Sequence, residues 1–294
     1  MRNDLERPIH ASGPRPSAIG RWLRKLPGRI GFGLAVLALV SPAALVFLWM
    51  LSLSLKTELD NTAWPPVFIP DPPTLANYEE VFARNDFLLY AWNSVVVSFS
   101  ATALALLIGV PAGYGIAKMR AVRAAALILV ARITPGLSYL IPLFLLFQWL
   151  ELTGTLVPIV VTHLVITVPI VVWVMISFFE GLPAELEEAA LVDGATIWQA
   201  FRHVAMPLAR PGITVATILA FIFSWNNFVF AMVLAGRETR TLPVAVNNML
   251  TFEQISWGPL SAAALLVTLP VLLLTLLAQR QIVAGLTAGG VKGA

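Results

Sequence analysis

Six apolar runs dominate this 294-residue chain, at 31–53, 89–117, 124–150, 155–179, 212–235 and 258–277. A helix needs about 20 mostly apolar residues to cross the hydrocarbon core of a bilayer, and none of the six runs contains an Asp or Glu. Barrel strands are about 10 residues long with strict in–out alternation, whereas these runs are longer and apolar on every side. Composition agrees, with 58% apolar and 12% charged residues against about 45–50% and about 25% in a soluble domain. The charges are too few to cover a water-facing surface, and the same balance excludes intrinsic disorder. The absence of cysteine rules out a disulfide framework, a thiolate zinc site and a cysteine nucleophile. The chain reads as an all-α membrane protein with six transmembrane helices.

Charge placement gives the direction. Residues 1–30 hold seven bases, the 118–123 connection holds Lys118, Arg120 and Arg123, and the 180–211 connection holds Arg202 and Arg210. With Arg280 and Lys292 of the tail, those regions carry 14 bases, whereas the alternate connections carry four: Lys56, Arg84, Arg237 and Arg240. Positive residues stay inside, so both termini are expected in the cytoplasm. The organisation expected is a cytoplasmic segment 1–30, a first span 31–53, an external loop 54–88, a transmembrane core 89–281 and a cytoplasmic tail 282–294. The first run is too long for the 7–15-residue apolar region of a cleaved signal and lacks a small-x-small site, so it reads as an uncleaved span. A net charge of +3 is too slight and too scattered for a nucleic-acid footprint.

Ion-coupled carriers place acids or histidines inside their spans to bind the coupling ion, and acids are absent here. Arg132 is the one base within a run; it snorkels toward the cytoplasmic surface or lines a wet cavity. His163, mid-run among apolar residues, is most simply a hydrogen-bonded packing group. The three histidines lie far apart, with no HExxH, no GxSxG elbow and no GxxxxGK[ST] phosphate loop. Any energy from ATP must enter through a partner. Pro111, Pro135 with Gly136, Pro142, Pro158, Pro169 and Pro270 are expected to bend or interrupt spans, and carbonyls freed at that depth need protein or a water-filled cavity around them.

The 180–211 connection carries the strongest local signal. Pro183 suits a first-turn position, with Glu185, Glu187 and Glu188 complementing the positive end of a helix. Gly194 suits the left-handed residue that ends it. Thr196 then restarts the chain, with Gln199 three residues on as a capping-box partner. Pro207 and Pro211 are expected to close the second short helix.

This spacing resembles the EAA loop of permease subunits in ATP-binding-cassette (ABC) importers. Glu188-Ala189-Ala190, three residues, Gly194, nine residues and Val204-Ala205-Met206-Pro207 meet the pattern, with Val204 and Met206 standing for the usual Ile and Leu. Trp225-Asn226-Asn227-Phe228, Thr241-Leu242-Pro243 and the ending Gln279-Arg280 to Val291-Lys292-Gly293 resemble elements of carbohydrate-importer permeases, nearest to the shorter permease of maltose-type importers. Asn77-Tyr78 and Asn93-Ser94 also fit. Asn227 stands where many members carry an acid, so a charged role there does not transfer.

The resemblance implies a type I (MetI-like) bundle in the bacterial inner membrane. It implies a second homologous permease, two ATPase subunits that hold ATP and Mg, an external solute-binding protein and a sugar substrate, with no cofactor in this chain. It places ATPase coupling on Glu188, Ala189, Ala190, Asp193, Gly194 and Pro207. Asn93, Arg132, Tyr139, Trp225, Asn226 and Asn227 are candidates to line the path, although Trp and Asn also mediate helix packing. The external loop 236–257 resembles one that reaches into the binding protein, and the tail 289–293 one that reaches between the ATPases. A self-sufficient carrier or channel is the alternative; a membrane-embedded enzyme would need a catalytic constellation that the sequence lacks.

Overall fold

The computed structural model describes residues 18–84, 86–250 and 255–290. Residues 1–17 of the expected cytoplasmic segment, 251–254 of the external loop 236–257 and 291–293 of the tail element therefore lie outside the described residues. The chain divides into two units, 1–50 and 51–294. Helix α1 (Ala18–Ser54) supplies all the described structure of the first. Its stretch Gly31–Ser54 is long and apolar enough to cross a bilayer, and Phe32, Leu37 and Leu39 stand exposed around it, as on a helix made to face lipid.

In the second unit, α2 (Glu58–Asn61) and α3 (Ala76–Arg84) precede α4 (Phe87–Lys118). At 1.5 Å per residue α4 is roughly 48 Å long, more than a hydrocarbon core of about 30 Å. A turn through Arg120, at φ 48°, leads into α5 (Val122–Ile133), a 3₁₀ turn at Gly136–Tyr139 and α6 (Leu140–Trp149). The expected third span, 124–150, is thus not one helix but two segments meeting at 90°. Pro135 drives the residue before it away from the helical region, and Thr134 is extended at ψ 125°.

Next come α7 (Leu156–Glu180), α8 (Ala184–Val192) and α9 (Ile197–Ala200). A π-helical turn at Phe201–Ala205 joins α9 to α10 (Met206–Leu208), and α11 (Arg210–Trp225), α12 (Val229–Leu234), α13 (Leu242–Asn247) and α14 (Trp257–Gly290) complete the order. The expected fifth span, 212–235, is interrupted: α11 stops at Trp225, the chain leaves helical geometry around Asn226-Asn227, and α12 continues beyond. Among the described residues, four helices are continuous enough to span.

Of the prolines expected to disturb helices, only Pro135 sits at a break. Pro111, Pro169 and Pro270 lie inside uninterrupted helices. Pro142 and Pro158 fall in the first turns of α6 and α7, where a missing N–H costs no intrahelical bond.

Helices α4, α7 and α11 form the centre of the unit. Their contact depends on a four-residue stripe, Ala101, Ala105, Gly109 and Gly113, on one face of α4. A Cβ on Gly109 would lie 2.6 Å from Val171 Cγ1, and one on Gly113 2.7 Å from Met175 Cβ. Small residues at this spacing let helix backbones approach where hydrophobic segregation from lipid drives nothing.

The end of the bundle farthest from α8 is pinned by polar contacts. Asn77 donates to the carbonyls of Ser54 (2.9 Å) and Lys56 (2.7 Å), and Ser54 Oγ lies 2.9 Å from the Tyr78 hydroxyl. Lys56, 1% exposed, donates to Val67 O at 2.6 Å. Withdrawal from water lowers the pKa of its ammonium, and Asp60 opposes that shift. The Glu58 carboxylate accepts from the N–H groups of Trp257 (3.1 Å) and Gly258 (3.3 Å), capping α14 from 199 residues away.

Candidate functional site

The segment between α7 and α11 builds itself from local rules. Pro183, at φ −59°, is the N-cap of α8, one position before the first turn, and Glu185 and Glu187 occupy that turn. Glu188 falls just beyond it. At the other end the Gly194 N–H reaches Leu191 O (3.1 Å) and the Ala195 N–H reaches Ala190 O (3.0 Å). That pair of bonds is a Schellman ending, and it places Gly194 at φ +91°. Nothing lies within 4 Å of where a Gly194 Cβ would project, so the backbone conformation, not crowding, demands glycine.

Thr196 then caps α9 in a reciprocal box: its Oγ1 accepts from Gln199 N at 3.3 Å, while Gln199 Oε1 accepts from Thr196 N at 2.7 Å. The second helix runs on through the π turn and ends at Leu208, between Pro207 and Pro211. Pro207 lies in the first turn of α10, and the wider π turn precedes the residue that cannot donate an N–H.

The inward face of this hairpin is anchored on α4. Glu187 is 6% exposed; its Oε2 accepts the Tyr114 hydroxyl at 2.8 Å and pairs with Lys118 Nζ at 3.0 Å. The Tyr114 ring packs against Phe179 (centroids 5.3 Å) and Phe201 (4.7 Å), so residues from both ends of the loop grip one side chain of α4. A cavity of about 690 Å³ opens beside it, with Lys118, Arg120, Glu180, Glu187 and Glu188 among its lining residues.

The outward face is different in kind. Glu188, Ala189, Asp193, Gly194 and Pro207 are exposed and Ala190 is half-buried. Around them stand Leu186, Val192, Ile197 and Trp198, with Val192 87% exposed. Among the described residues no ion pair involves Glu188 or Asp193. An exposed apolar cluster rimmed by unpaired charge is the character of a protein-binding surface.

The six residues considered for the path separate into two groups. Asn93 is buried and spends its amide hydrogens on Glu238 O (2.8 Å) and Arg240 O (2.9 Å). Trp225 is buried against Phe221 and donates to Val267 O at 3.0 Å. Both are struts that hold elements of the subunit together. Arg132, Tyr139, Asn226 and Asn227 are exposed or half-exposed, and they lie at or beside the two helix breaks. Asn226 donates to Ile222 O at 3.0 Å, and Asn227 Oδ1 accepts from Phe230 N at 3.4 Å. His163 is buried with Nδ1 2.8 Å from Ser224 Oγ, as a packing histidine should be.

Residues 105–287 match the family described as "Binding-protein-dependent transport system inner membrane component". The chain belongs to that family. Among its relatives, the sulfoquinovosyl glycerol transport system permease protein SmoH of Agrobacterium fabrum is 36% identical over 250 residues, covering 84% of this chain and 88% of that one. The trehalose transport system permease protein SugB of Mycobacterium tuberculosis is 36% identical over 262 residues, 86% of this chain and 94% of that one. A chain from the crystal structure of a bacterial ABC transporter involved in the import of the acidic polysaccharide alginate superposes with a TM-score of 0.71 at 22% identity, covering 91% of this chain and 99% of that one. The all-α, MetI-like fold expected from the sequence is therefore the fold of this family member.

The family motif points to Glu188, which is exposed; it does not point to Glu187, Tyr114 or Lys118. Their association spans 73 positions in sequence, and nothing local distinguishes Glu187 from the acids on either side. A tyrosine and a lysine four residues apart near the end of an apolar run were the available signal.

Proposed function

We propose that this chain is one of two permease subunits through which an ABC importer moves a sugar or sugar-like solute across the bacterial inner membrane. The observation that carries the reading is the hairpin after α7: a rigid pair of short helices with an exposed apolar face, an unpaired Glu188 and a Gly194-dependent bend. One of two ATPase subunits docks there and the other on the second permease, and together they hold the ATP and Mg, since the sequence has no phosphate loop of its own. A binding protein delivers the solute at the opposite end, and the excess of Lys and Arg puts the hairpin and both termini in the cytoplasm. The substrate class follows the relatives, whose names give a sulfosugar glycoside and a disaccharide as their cargo.

In this mechanism ATP draws the two ATPases together, the docked helices move with them, and the paired permeases reopen toward the binding protein. A short capped helix transmits such a rigid-body motion where a slack loop would absorb it. Arg132, Tyr139, Asn226 and Asn227 supply polar groups to the path, consistent with their position at broken helices, because irregular backbone at membrane depth belongs beside a cavity.

The test is reconstitution of the chain with its co-purifying permease and ATPases. Loaded binding protein should stimulate ATP hydrolysis, and Glu188→Lys should abolish the stimulation. Solute uptake by liposomes holding this chain alone, or full stimulation in Glu188→Lys, would overturn the reading.

A further inference from the structure

We propose that Tyr114, Lys118 and Glu187 form a clasp that makes α8 and the inner end of α4 one mechanical body, so that movement of the docking helix is delivered to the central span of the bundle. The inference rests on the transport reading and adds positioning residues that the family motif does not contain. Three observations support it. Glu187 is almost fully buried while Glu188, one position and about 100° further round the helix, is exposed, and both a hydroxyl and an ammonium of α4 meet on a single Glu187 carboxylate oxygen. Tyr114 is held from two directions by Phe179, at the end of α7, and Phe201, in the π turn. Tyr114 directly follows Gly113 on α4, and Gly113 and Gly109 meet Met175 and Val171 of α7, so a displacement at Tyr114 is passed directly into the tightest helix pair of the unit.

The geometry separates two tasks within adjacent residues. Glu188 meets the partner; Glu187 fastens the helix that bears it. A hairpin that kept Glu188 but lost the clasp would still bind an ATPase while moving independently of α4. Coupling free energy between distant sites requires an element whose two arrangements both sites bias, and the clasp is the joint that makes α8 and α4 such an element.

Because the chain contains no cysteine, spin labels can be placed at Glu185→Cys on α8 and Met119→Cys at the end of α4 without background. In the complex with its co-purifying ATPases, the label separation should be the same in the nucleotide-free and the ATP–vanadate-trapped states. In Tyr114→Phe with Glu187→Gln, the ATPases should still co-purify, but the separation should broaden and change by several ångströms on trapping. Reversing the pair, Lys118→Glu with Glu187→Lys, should restore a single state-independent separation, which a general loss of folding would not permit. If the double variant does not fold, Tyr114→Phe, which removes one oxygen, must still show the broadening. State-independent separation in the clasp variant, or a change on trapping in the wild type, would overturn the clasp with ATPases bound. Failure of any ATPase to bind the wild-type chain would instead sink the transport reading, and the clasp with it.

Discussion

Gly194 and Glu188 stand six positions apart on the same outward surface, yet their substitutions should fail for different reasons. Valine at 194 has room, since nothing approaches the Cβ site, but φ +91° lies where a side chain costs about 1–2 kcal/mol. The hairpin can relieve that strain only by changing the angle between α8 and α9, so Gly194→Val should insert and pair normally but lose its ATPases on purification. Glu188 lies beyond the first turn of α8 and is exposed, so Glu188→Gln should alter the thermal stability of the isolated permease by less than about 0.5 kcal/mol. Removing one partner of a desolvated charge pair costs about 2–5 kcal/mol, and that loss should appear only in ATPase binding and stimulated hydrolysis. Equal damage to stability and to binding in Glu188→Gln would show that the carboxylate supports the fold instead. The sequence discloses this much because a left-handed glycine and a capping box are decided within six residues of backbone. It does not disclose Glu187, whose partners are fixed by tertiary packing of α8 on α4.

Among the helices, the decisive feature is the small-residue stripe of α4. Gly109→Ala would set a Cβ 2.6 Å from Val171 Cγ1 and 2.9 Å from Val171 Cβ, so α4 and α7 must separate. Overpacking of that kind costs about 1–3 kcal/mol, measurable as a lowered unfolding midpoint in detergent. Gly115, on the same helix, has nothing within 4 Å of its Cβ site, and Gly115→Ala should be neutral or stabilising by up to about 1 kcal/mol, the helix-propensity difference. Equal effects at the two glycines would mean that the stripe is not the seam. This stripe is readable in retrospect as small residues at every fourth position from 101 to 113, whereas the effect of proline is less so. Pro135 breaks its span because Thr134 becomes extended and the chain redirects by 90°. Pro111 and Pro169 leave α4 and α7 continuous, and the two helices pack against each other. Apolar periodicity locates a span; it does not say whether neighbours will hold the span together at its weakest residue.

For the molecule as a whole, the two ends differ in how they are built. One end is fixed by backbone-directed polar contacts: Asn77 to Ser54 and Lys56, Glu58 to the start of α14, and Asn93 to the carbonyls of Glu238 and Arg240. The other presents the hairpin, its exposed Val192, Ile197 and Trp198, and Lys118, Arg120, Arg123, Arg202 and Arg210. A pinned end opposite a docking end suits a device driven from one side and loaded from the other. The orientation proposed for the chain rests on charge, because Lys and Arg beside spans resist transfer across the membrane, and it gives a clean prediction in a chain without cysteine. Leu59→Cys, at an exposed site in α2, should react in intact cells with a thiol reagent that cannot cross the membrane. Ile197→Cys, exposed at the start of α9, should react only after the membrane is opened, and less so when ATPases are bound. Both sites lie clear of the buried clamps, so neither substitution should disturb folding, and protein recovered after purification controls for that. Labelling of Ile197→Cys from outside with Leu59→Cys protected would invert the topology. It would also place the hairpin where no ATPase can reach it.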